Sequence, residues 1–514
     1  MYLTQGLHRW ATATPGRVAT ICGDRSRTYA ELSDRVSRLA SGLRGIDIKD
    51  GDRVGVLALN SDRYIESLFA VPWANAVLNP VNIRWSPAEI AYSLEDSQTR
   101  VLIVDDVFAP AVPAVQQIYP ALTTVIHAGD GPTPDFAISY EQLIAESDPI
   151  ADARRSGDEL AGVFYTGGTT GAPKGVMLSH TNLVSAALGG LASGNFFRHG
   201  ATPRSLHVAP MFHLADFAFF LMTSIAGGTN IAVPMFDPQK VLGLIGTHEV
   251  TDTLLVPTMI QMLADHPSAP SFDVSHLRTI AYGASPISPA LLGRAKKVWP
   301  GVDFVQAYGM TELSALATIL PAADHSIETR QRSAGATSPT SEIRIAAEDG
   351  TDAPRGAVGE ILVRGPQVMR GYWQKPEETE EALRDGWMHT GDAGYLDDDG
   401  YLYIVDRLKD MIITGGENVY SSEVENALAQ HPAVAACAVI GLPDERWGER
   451  VHAVVVPAPQ TTVTADELQE HTRALIAGYK VPRSVSFAES LPISGAGKIL
   501  KRSLRDTVQQ QPSA

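Results

Sequence analysis

Tyr165-Thr166-Gly167-Gly168-Thr169-Thr170-Gly171-Ala172-Pro173-Lys174-Gly175 follows directly on the apolar run Leu160 to Tyr165. The run reads as a buried strand. The loop after it exposes backbone N–H groups, threonine hydroxyls and one cation together. A concave set of N–H donors is an anion site, so the stretch suits a polyphosphate. A Walker A loop would need Gly-x-x-x-x-Gly-Lys-Ser/Thr. Here Lys174 follows Pro173 and precedes Gly175, so that pattern fails. Taken singly, a loop of this make-up is a flexible surface turn, and its reading depends on the rest of the chain.

The chain has 514 residues, too many for one core, so two or more domains are expected. A hydrophobic fraction of 44% fits a globular enzyme. The net charge of −17 argues against a nucleic-acid-binding face, which would be basic. Cys22 and Cys437 lie far apart in apolar contexts without metal-ligand spacing. They match a reducing cytoplasm rather than a disulfide framework. The first ten residues lack the basic and apolar segments of a signal peptide. The most apolar window, Leu214 to Val233, is broken by Asp216, Gly227, Gly228 and Asn230 and reads as a core helix, not a membrane span. Homo-oligomerisation is left open.

Strand-like runs, among them Val54 to Leu59 and Val101 to Val104, alternate with helical patterns through the first 400 or so residues, which is α/β patterning. A strand over Tyr401 to Val405 and the charged Asp406 to Asp410 then precede a compact α+β pattern of about 100 residues, a normal size for a small domain. Ser422-Glu423-Val424-Glu425 and Thr464-Ala465-Asp466-Glu467 each read as a capping box opening a helix, with strands over Ala433 to Ile440 and Val451 to Val456 between them. The expected division is 1–405, a linker at 406–410, and 411–514.

Further motifs follow the first loop: Tyr308-Gly309-Met310-Thr311-Glu312, Thr390-Gly391-Asp392, Asp406-Arg407-Leu408-Lys409-Asp410, Gly415-Gly416-Glu417-Asn418, and Lys498 in Ser494-Gly495-Ala496-Gly497-Lys498. In this order and at these separations the set resembles the adenylate-forming superfamily of acyl-CoA synthetases, peptide-synthetase adenylation domains and firefly-type luciferases. The resemblance covers nearly the whole chain. It implies a large N-terminal domain of layered α/β sheets with a small β-barrel, a small α+β C-terminal domain on a hinge, and an active site in the cleft between them.

The implied chemistry converts a carboxylate, a poor electrophile, into a mixed anhydride with AMP. Such chemistry asks for charge neutralisation and positioning more than covalent catalysis. The resemblance makes Thr166, Gly168, Thr169, Thr170 and Lys174 the phosphate loop, with Lys174 either a phosphate contact or a cation that fixes the loop. It makes Glu312 a Mg²⁺ ligand, in keeping with the preference of Mg²⁺ for a carboxylate plus phosphate oxygens and waters, and sets Thr311 on the α-phosphate. Tyr308 would stack on adenine, with Gly283-Ala284-Ser285 opposite it. Asp392, helped by Arg407, would accept from the ribose hydroxyls. Lys498 would bridge carboxylate and α-phosphate oxygens. His213 would wall and gate the acyl pocket.

The same resemblance places the hinge at Lys409, whose rotation would withdraw Lys498 and bring Gly415, Gly416 and Glu417 up as a pantetheine tunnel. Arg84, Lys480 and Arg483 are candidates for CoA phosphate contacts, each equally readable as a solvated cation. The chain is therefore expected to use ATP, Mg²⁺ and CoA to activate a carboxylic acid. A stand-alone enzyme loading a carrier protein, a luciferase-like oxygenase and a non-catalytic nucleotide sensor are the competing readings. Retention of Lys498, Glu312 and Asp392 together speaks against the sensor.

Two residues depart from the family pattern: Gly167 stands where serine is commoner, and Ser421 where many relatives have proline, with Ser421 expected still to cap the next helix. The segments Phe212 to Phe220, Val256 to Ile260, Tyr282 to Pro286 and Met310 to Leu316 contain no Lys or Arg. A dicarboxylate would lack a partner for its second charge there. An apolar monocarboxylic acid is expected, either a medium- or long-chain fatty acid or an arylalkenoic acid. Asp216 reads as a helix-start residue pointing away from the pocket.

Overall fold

A computed structural model describes residues 1–166, 172–197, 200, 202–415, 417–492 and 499–510. Contacts divide the chain into two compact units, Met1–Ile343 with Val363–Met388, and Arg344–Leu362 with His389–Ala514. The fold is mixed α/β with several sheets, as expected.

The first unit is built on two large sheets. One has eight strands in the order Gly371–Tyr372, Lys174–Ser179, Leu160–Thr166, Val77–Pro80, Arg53–Leu57, Val101–Val104, Thr124–His127 and Ile138–Ser139. Its middle is parallel, with Val54 opposite both Leu78 and Val101. Buried on both faces, these strands read as unbroken apolar runs, which is why the sequence shows them without alternation. The other sheet has nine strands, among them Thr229–Ala232, Arg204–His207, Asp252–Leu255, Thr279–Gly283 and Asp303–Tyr308 in that spatial order, all parallel.

In the helix Asp62–Trp73 every residue is buried, including Asp62, Arg63 and Glu66. Charges at that depth need partners. Arg25 reaches Asp62 at 2.8 Å, Arg35 reaches Glu66 at 2.6 Å, and Arg63 reaches Glu141 at 2.8 Å. The apolar window after position 213 resolves into the helix Leu214–Ala226 and the strand Thr229–Ala232. Phe217, Phe219 and Phe220 are each 1% exposed, and burial of such a side chain contributes roughly 1.5–3 kcal/mol. Gly227, at φ 77°, ends the helix in the left-handed conformation. No helix among the described residues is long and apolar enough to cross a membrane.

In the second unit, Leu402–Arg407 runs antiparallel to Trp387–Leu396 in a sheet that also takes Gly359–Arg364 and Glu342–Ala346. The remainder is the expected α+β pattern, a sheet around the long pair Val434–Asp444 and Gly448–Pro457 with helices Ser421–Leu428, Ala465–Leu475 and Lys501–Gln510.

The two expected capping boxes have different outcomes. Thr464 accepts from the Glu467 N–H and Glu467 accepts from the Thr464 N–H, so that box forms. The Ser422–Glu425 box does not. Tyr420 is the N-cap of Ser421–Leu428 and makes no side-chain cap bond. The Asp406 carboxylate takes that role from outside the helix, accepting from the N–H groups of Ser421 and Ser422 and from the Ser421 hydroxyl, the last at 2.6 Å. The Ser422 hydroxyl instead donates to the Val405 carbonyl. Glu425 turns inward to Lys501 at 2.7 Å and accepts from the Val439 N–H at 2.8 Å. Ser421, expected to cap, is a capped residue. A charged acceptor and a charged donor outbid a local hydroxyl–amide exchange because charge-assisted hydrogen bonds are the stronger kind.

Thr464→Ala should remove one half of the formed box and lower the stability of the second unit by about 1 kcal/mol. Urea unfolding followed by near-ultraviolet circular dichroism measures this, and Thr464→Ser should restore most of the loss.

Candidate active site

The strand Leu160–Thr166 is antiparallel to Lys174–Ser179, with Thr166 opposite Lys174 as the last pair. The Gly/Thr loop therefore joins two strands of a hairpin and does not open a helix, the arrangement that a Walker A loop would have. Gly168, Thr169 and Thr170 lie outside the described residues. Thr166 and Lys174 at the two ends of the loop are half-buried. Lys174 Nζ stands 4.9 Å from the ring centroid of Tyr372, a cation over an aromatic face. Burial and the neighbouring Glu312 charge raise the Tyr372 pKa, so the phenol keeps its proton.

Tyr308 is the last residue of Asp303–Tyr308 and is half-buried. The chain then doubles back: Leu313 N–H and Ala315 N–H both donate to Met310 O at 3.0 Å, and Ala317 N–H donates to Tyr308 O at 2.7 Å. Thr311–Leu313 is a single tight helical turn inside this reversal, with Glu312 7% exposed and Thr311 half-buried. Glu312 Oε1 accepts from the Tyr372 hydroxyl at 2.9 Å. Two non-glycine residues after the turn, Ser314 at φ 52° and Ala315 at φ 73°, hold left-handed backbone. That conformation carries strain that the surroundings must hold in place. Gly309 is where the two arms touch: a Cβ there would sit 2.3 Å from Ala315 O.

Gly283 ends the strand Thr279–Gly283 opposite Ala307, and a Cβ on it would lie 2.5 Å from Ala307 O. Ala284 follows at φ 65°, and Ala284 and Ser285 are exposed. His213 is the residue before Leu214–Ala226, half-buried, its ring 4.2 Å from that of Phe212. Asn60 braces this approach by donating to His207 O at 3.1 Å and Ala209 O at 2.8 Å and accepting from the Met211 N–H at 2.8 Å. Asp216 is fully buried in the first turn of Leu214–Ala226, and its Oδ2 meets His207 Nδ1 at 3.0 Å. Burial raises its pKa.

In the second unit Asp392 and Arg407 face each other across an antiparallel pair, Arg407 Nε 3.3 Å from Asp392 Oδ1. Asp392 is 6% exposed and its N–H donates to Thr390 Oγ1 at 3.1 Å, whose hydroxyl donates to Ile361 O at 2.7 Å. Lys409 is exposed within the short turn Leu408–Asp410. Gly415, at φ 63°, donates its N–H to Trp447 O at 2.8 Å, and Glu417 pairs with Thr414 beside it. Gly416 and Lys498 lie outside the described residues.

Among the CoA candidates, Lys480 is bound to Glu423 at 2.7 Å, while Arg84 is exposed. Arg483 lies 4.5 Å from the Trp447 ring, which Arg446 approaches at 4.7 Å. Trp447 and Arg446 were missed in the sequence, although an adjacent cation and aromatic before a glycine is a readable signal for stacking. Tyr372 was missed for a better reason. Nothing local ties a tyrosine to a glutamate sixty positions earlier.

The chain belongs to the AMP-binding enzyme family, the adenylate-forming superfamily of the sequence motifs. The model for AMP-binding enzymes matches residues 7–373, and the model for their C-terminal domain matches residues 423–498. Among its relatives is a feruloyl-CoA synthase of Amycolatopsis sp, 42% identical over 508 residues, spanning 98% of this chain and 99% of that one. Another is a fatty acid–[acyl-carrier-protein] ligase of Streptomyces coeruleorubidus, 37% identical over 497 residues, spanning 96% and 93%. The solved structure of o-succinylbenzoate CoA synthetase from Bacillus subtilis, in complex with its acyl-adenylate intermediate, superposes with a TM-score of 0.87 at 30% identity over 99% of this chain and 98% of that one.

The close approach at Gly309 makes a sharp test of the reversal. Gly309→Ala should cost about 1–3 kcal/mol through overpacking against backbone that cannot move aside. Denaturant unfolding gives the number, and a curve matching wild type would show the Thr311–Leu313 turn to be free to shift.

Proposed function

We propose that this chain is an AMP-forming acid–thiol ligase, an ATP-dependent acyl-CoA synthetase that makes an acyl-adenylate and then an acyl-CoA, with release of pyrophosphate and AMP. The observation that carries this reading is the full-length likeness to a feruloyl-CoA synthase. That likeness also favours an arylalkenoic acid among the apolar monocarboxylic acids, fatty acids being the other class.

The residues divide the work as follows. Thr166 and Lys174, with Gly168, Thr169 and Thr170, hold the β- and γ-phosphates. Thr311 takes the α-phosphate. Tyr308 and Gly283-Ala284-Ser285 hold the adenine. Asp392, oriented by Arg407, accepts from the ribose hydroxyls. Glu312 offers a buried, hard oxygen anion of the kind Mg²⁺ prefers. No group of three or more metal-ligating side chains occurs among the described residues, so the nucleotide phosphates would supply most of the other ligands. When bound, Mg²⁺ would neutralise charge on the phosphates.

Lys498 supplies the cation at the reacting carboxylate and α-phosphate. His213 and the aromatic start of Leu214–Ala226 wall the acyl group. For the thiol step, Lys409 in the linker 406–410 is the hinge between 1–405 and 411–514. Gly415, Gly416 and Glu417 line the pantetheine path, and Arg483 with Arg446 on Trp447 offers a cationic surface to the CoA nucleotide. The second reading, transfer to a carrier protein, is favoured by one observation, the relative that acts on an acyl-carrier protein.

Two outcomes check the proposal. Lys498→Ala should lower adenylation by roughly 10²–10³-fold while sparing thioester formation from a supplied acyl-adenylate. Equal loss of both half-reactions in a folded variant would remove Lys498 from the assigned step. Across acetate, hexanoate, decanoate, malonate and ferulate, kcat/KM with CoA should be highest for ferulate or a fatty acid. Each buried CH₂ adds up to about 0.8 kcal/mol until the pocket is full. Acetate or malonate as best substrate would overturn the apolar pocket, and pyrophosphate release without any CoA thioester would select the carrier-protein reading.

A further inference from the structure

Tyr372 touches both charged groups assigned to the nucleotide phosphates and their metal. Its hydroxyl donates to Glu312 Oε1 at 2.9 Å, and its ring face lies 4.9 Å from Lys174 Nζ. The residue is 9% exposed, so neither contact is an accident of a loose surface side chain. Its backbone is equally fixed. Gly371–Tyr372 is a strand on the edge of Lys174–Ser179, with Tyr372 opposite Val176, and the Tyr372 N–H donates to Thr379 Oγ1 at 2.9 Å.

The chain on either side is tied down too. Trp373 N–H donates to Gly175 O at 2.7 Å, and Arg370 N–H to Met177 O at 2.9 Å. Upstream, Met369 N–H donates to Glu312 O at 2.8 Å, the Ser314 hydroxyl donates to Gln367 O at 2.8 Å, and Asn182 donates to the carbonyls of Pro366 and Val368, each at 2.8 Å. Segment 366–373 is thus a strap that binds the Glu312 turn to the strand leaving the phosphate loop, and Tyr372 is the side chain at its crossing point.

We propose that Tyr372 is a positioning residue for nucleotide and metal binding: it orients the Glu312 carboxylate toward a divalent cation and holds Lys174 beside the phosphates at a set separation from that carboxylate. The physical reason lies in the tyrosine's two ends. A phenol can satisfy an anion at its hydroxyl and a cation at its face without neutralising either. A direct Lys–Glu ion pair would cancel the two charges against each other, and both would be lost to the nucleotide. The inference rests on the proposed nucleotide site but not on the identity of the acid or of the acceptor thiol.

The test separates the hydroxyl from the ring. Mn²⁺, a paramagnetic substitute for Mg²⁺, is titrated by electron paramagnetic resonance into the full chain holding a non-hydrolysable α,β-methylene ATP analogue. Tyr372→Phe keeps the ring and loses the donor, and should weaken Mn²⁺ binding about tenfold, the scale of one hydrogen bond to a charged group. In pyrophosphate-release assays the same variant should raise the Mg²⁺ needed for half-activity while leaving the KM for the acid unchanged. Tyr372→Leu loses the face as well and should additionally weaken the analogue itself. In a Glu312→Gln background, Tyr372→Phe should have almost no further effect on Mn²⁺, because the two act through one contact. Unchanged Mn²⁺ binding in Tyr372→Phe, or full additivity with Glu312→Gln, would overturn the proposal. Wild-type protein that binds Mn²⁺ and the analogue but turns over no acid would overturn the functional reading and leave this inference standing.

Discussion

Antiparallel pairing between Leu160–Thr166 and Lys174–Ser179 is the constraint on which the rest of the first unit's site depends. One edge of that pair joins the parallel core through Gly162 and Leu78. The other edge receives Gly371–Tyr372. Its open end, at Thr166 and Lys174, presents the Gly/Thr loop. A hairpin with one side locked into a buried sheet can hold a glycine-rich connection that no helix supports.

Much of this was legible in the sequence, and for one physical reason. Strands buried on both faces are continuous apolar runs, so Val54 to Leu59, Val101 to Val104 and Leu160 to Tyr165 could be placed within two residues of Arg53–Leu57, Val101–Val104 and Leu160–Thr166. The Thr464–Glu467 box was legible because both partners lie within one turn. What could not be read was any choice settled by a distant partner. Ser422 and Glu425 have the spacing of a capping box, yet Asp406 and Lys501, from elsewhere in the chain, recruit the same groups. Tyr372 shows nothing locally that would tie it to Glu312. Of the site residues named from the motifs, the structure brings Asp392 to Arg407 and sets Glu312 beside the Lys174–Tyr372 pair. Gly168, Thr169, Thr170, Gly416 and Lys498 lie outside the residues it describes.

The stretch Asp406 to Asp410 shows how much chemistry a few charged residues can hold. Asp406 is committed to the start of Ser421–Leu428, and Asp410 meets Arg505 at 3.2 Å. Lys501 and Arg505 are four residues apart and so share one face of Lys501–Gln510. Lys501 Nζ reaches the Ser421 hydroxyl at 2.5 Å, the same hydroxyl that serves Asp406. Both ends of the turn at 408–410 are therefore answered by the same helix face. Rotation about Lys409, in the proposed reading, would exchange these bonds for others instead of bending a free tether, which fits a switch between two defined states better than a continuum of them.

The pairing of Asp216 with His207 has a consequence for how such a protein could change its diet. The carboxylate is fully buried in the helix that also carries Phe217, Phe219 and Phe220, and burial raises its pKa. His207 in turn packs edge-on against Phe219 and Phe220, so the polar pair lies directly against an aromatic layer. In the proposed reading an acid entering against that layer is sorted by its shape and by the water it must shed, while its own remote charges find no counterweight. A descendant that came to accept a second carboxylate would need more than one arginine at the surface of the pocket. It would have to rebuild the layer below, where His207, Asn230 and Asp216 share one run of hydrogen bonds. In that reading, substitutions among the aromatics vary the size of the guest, while the polar cluster behind them bears on its polarity.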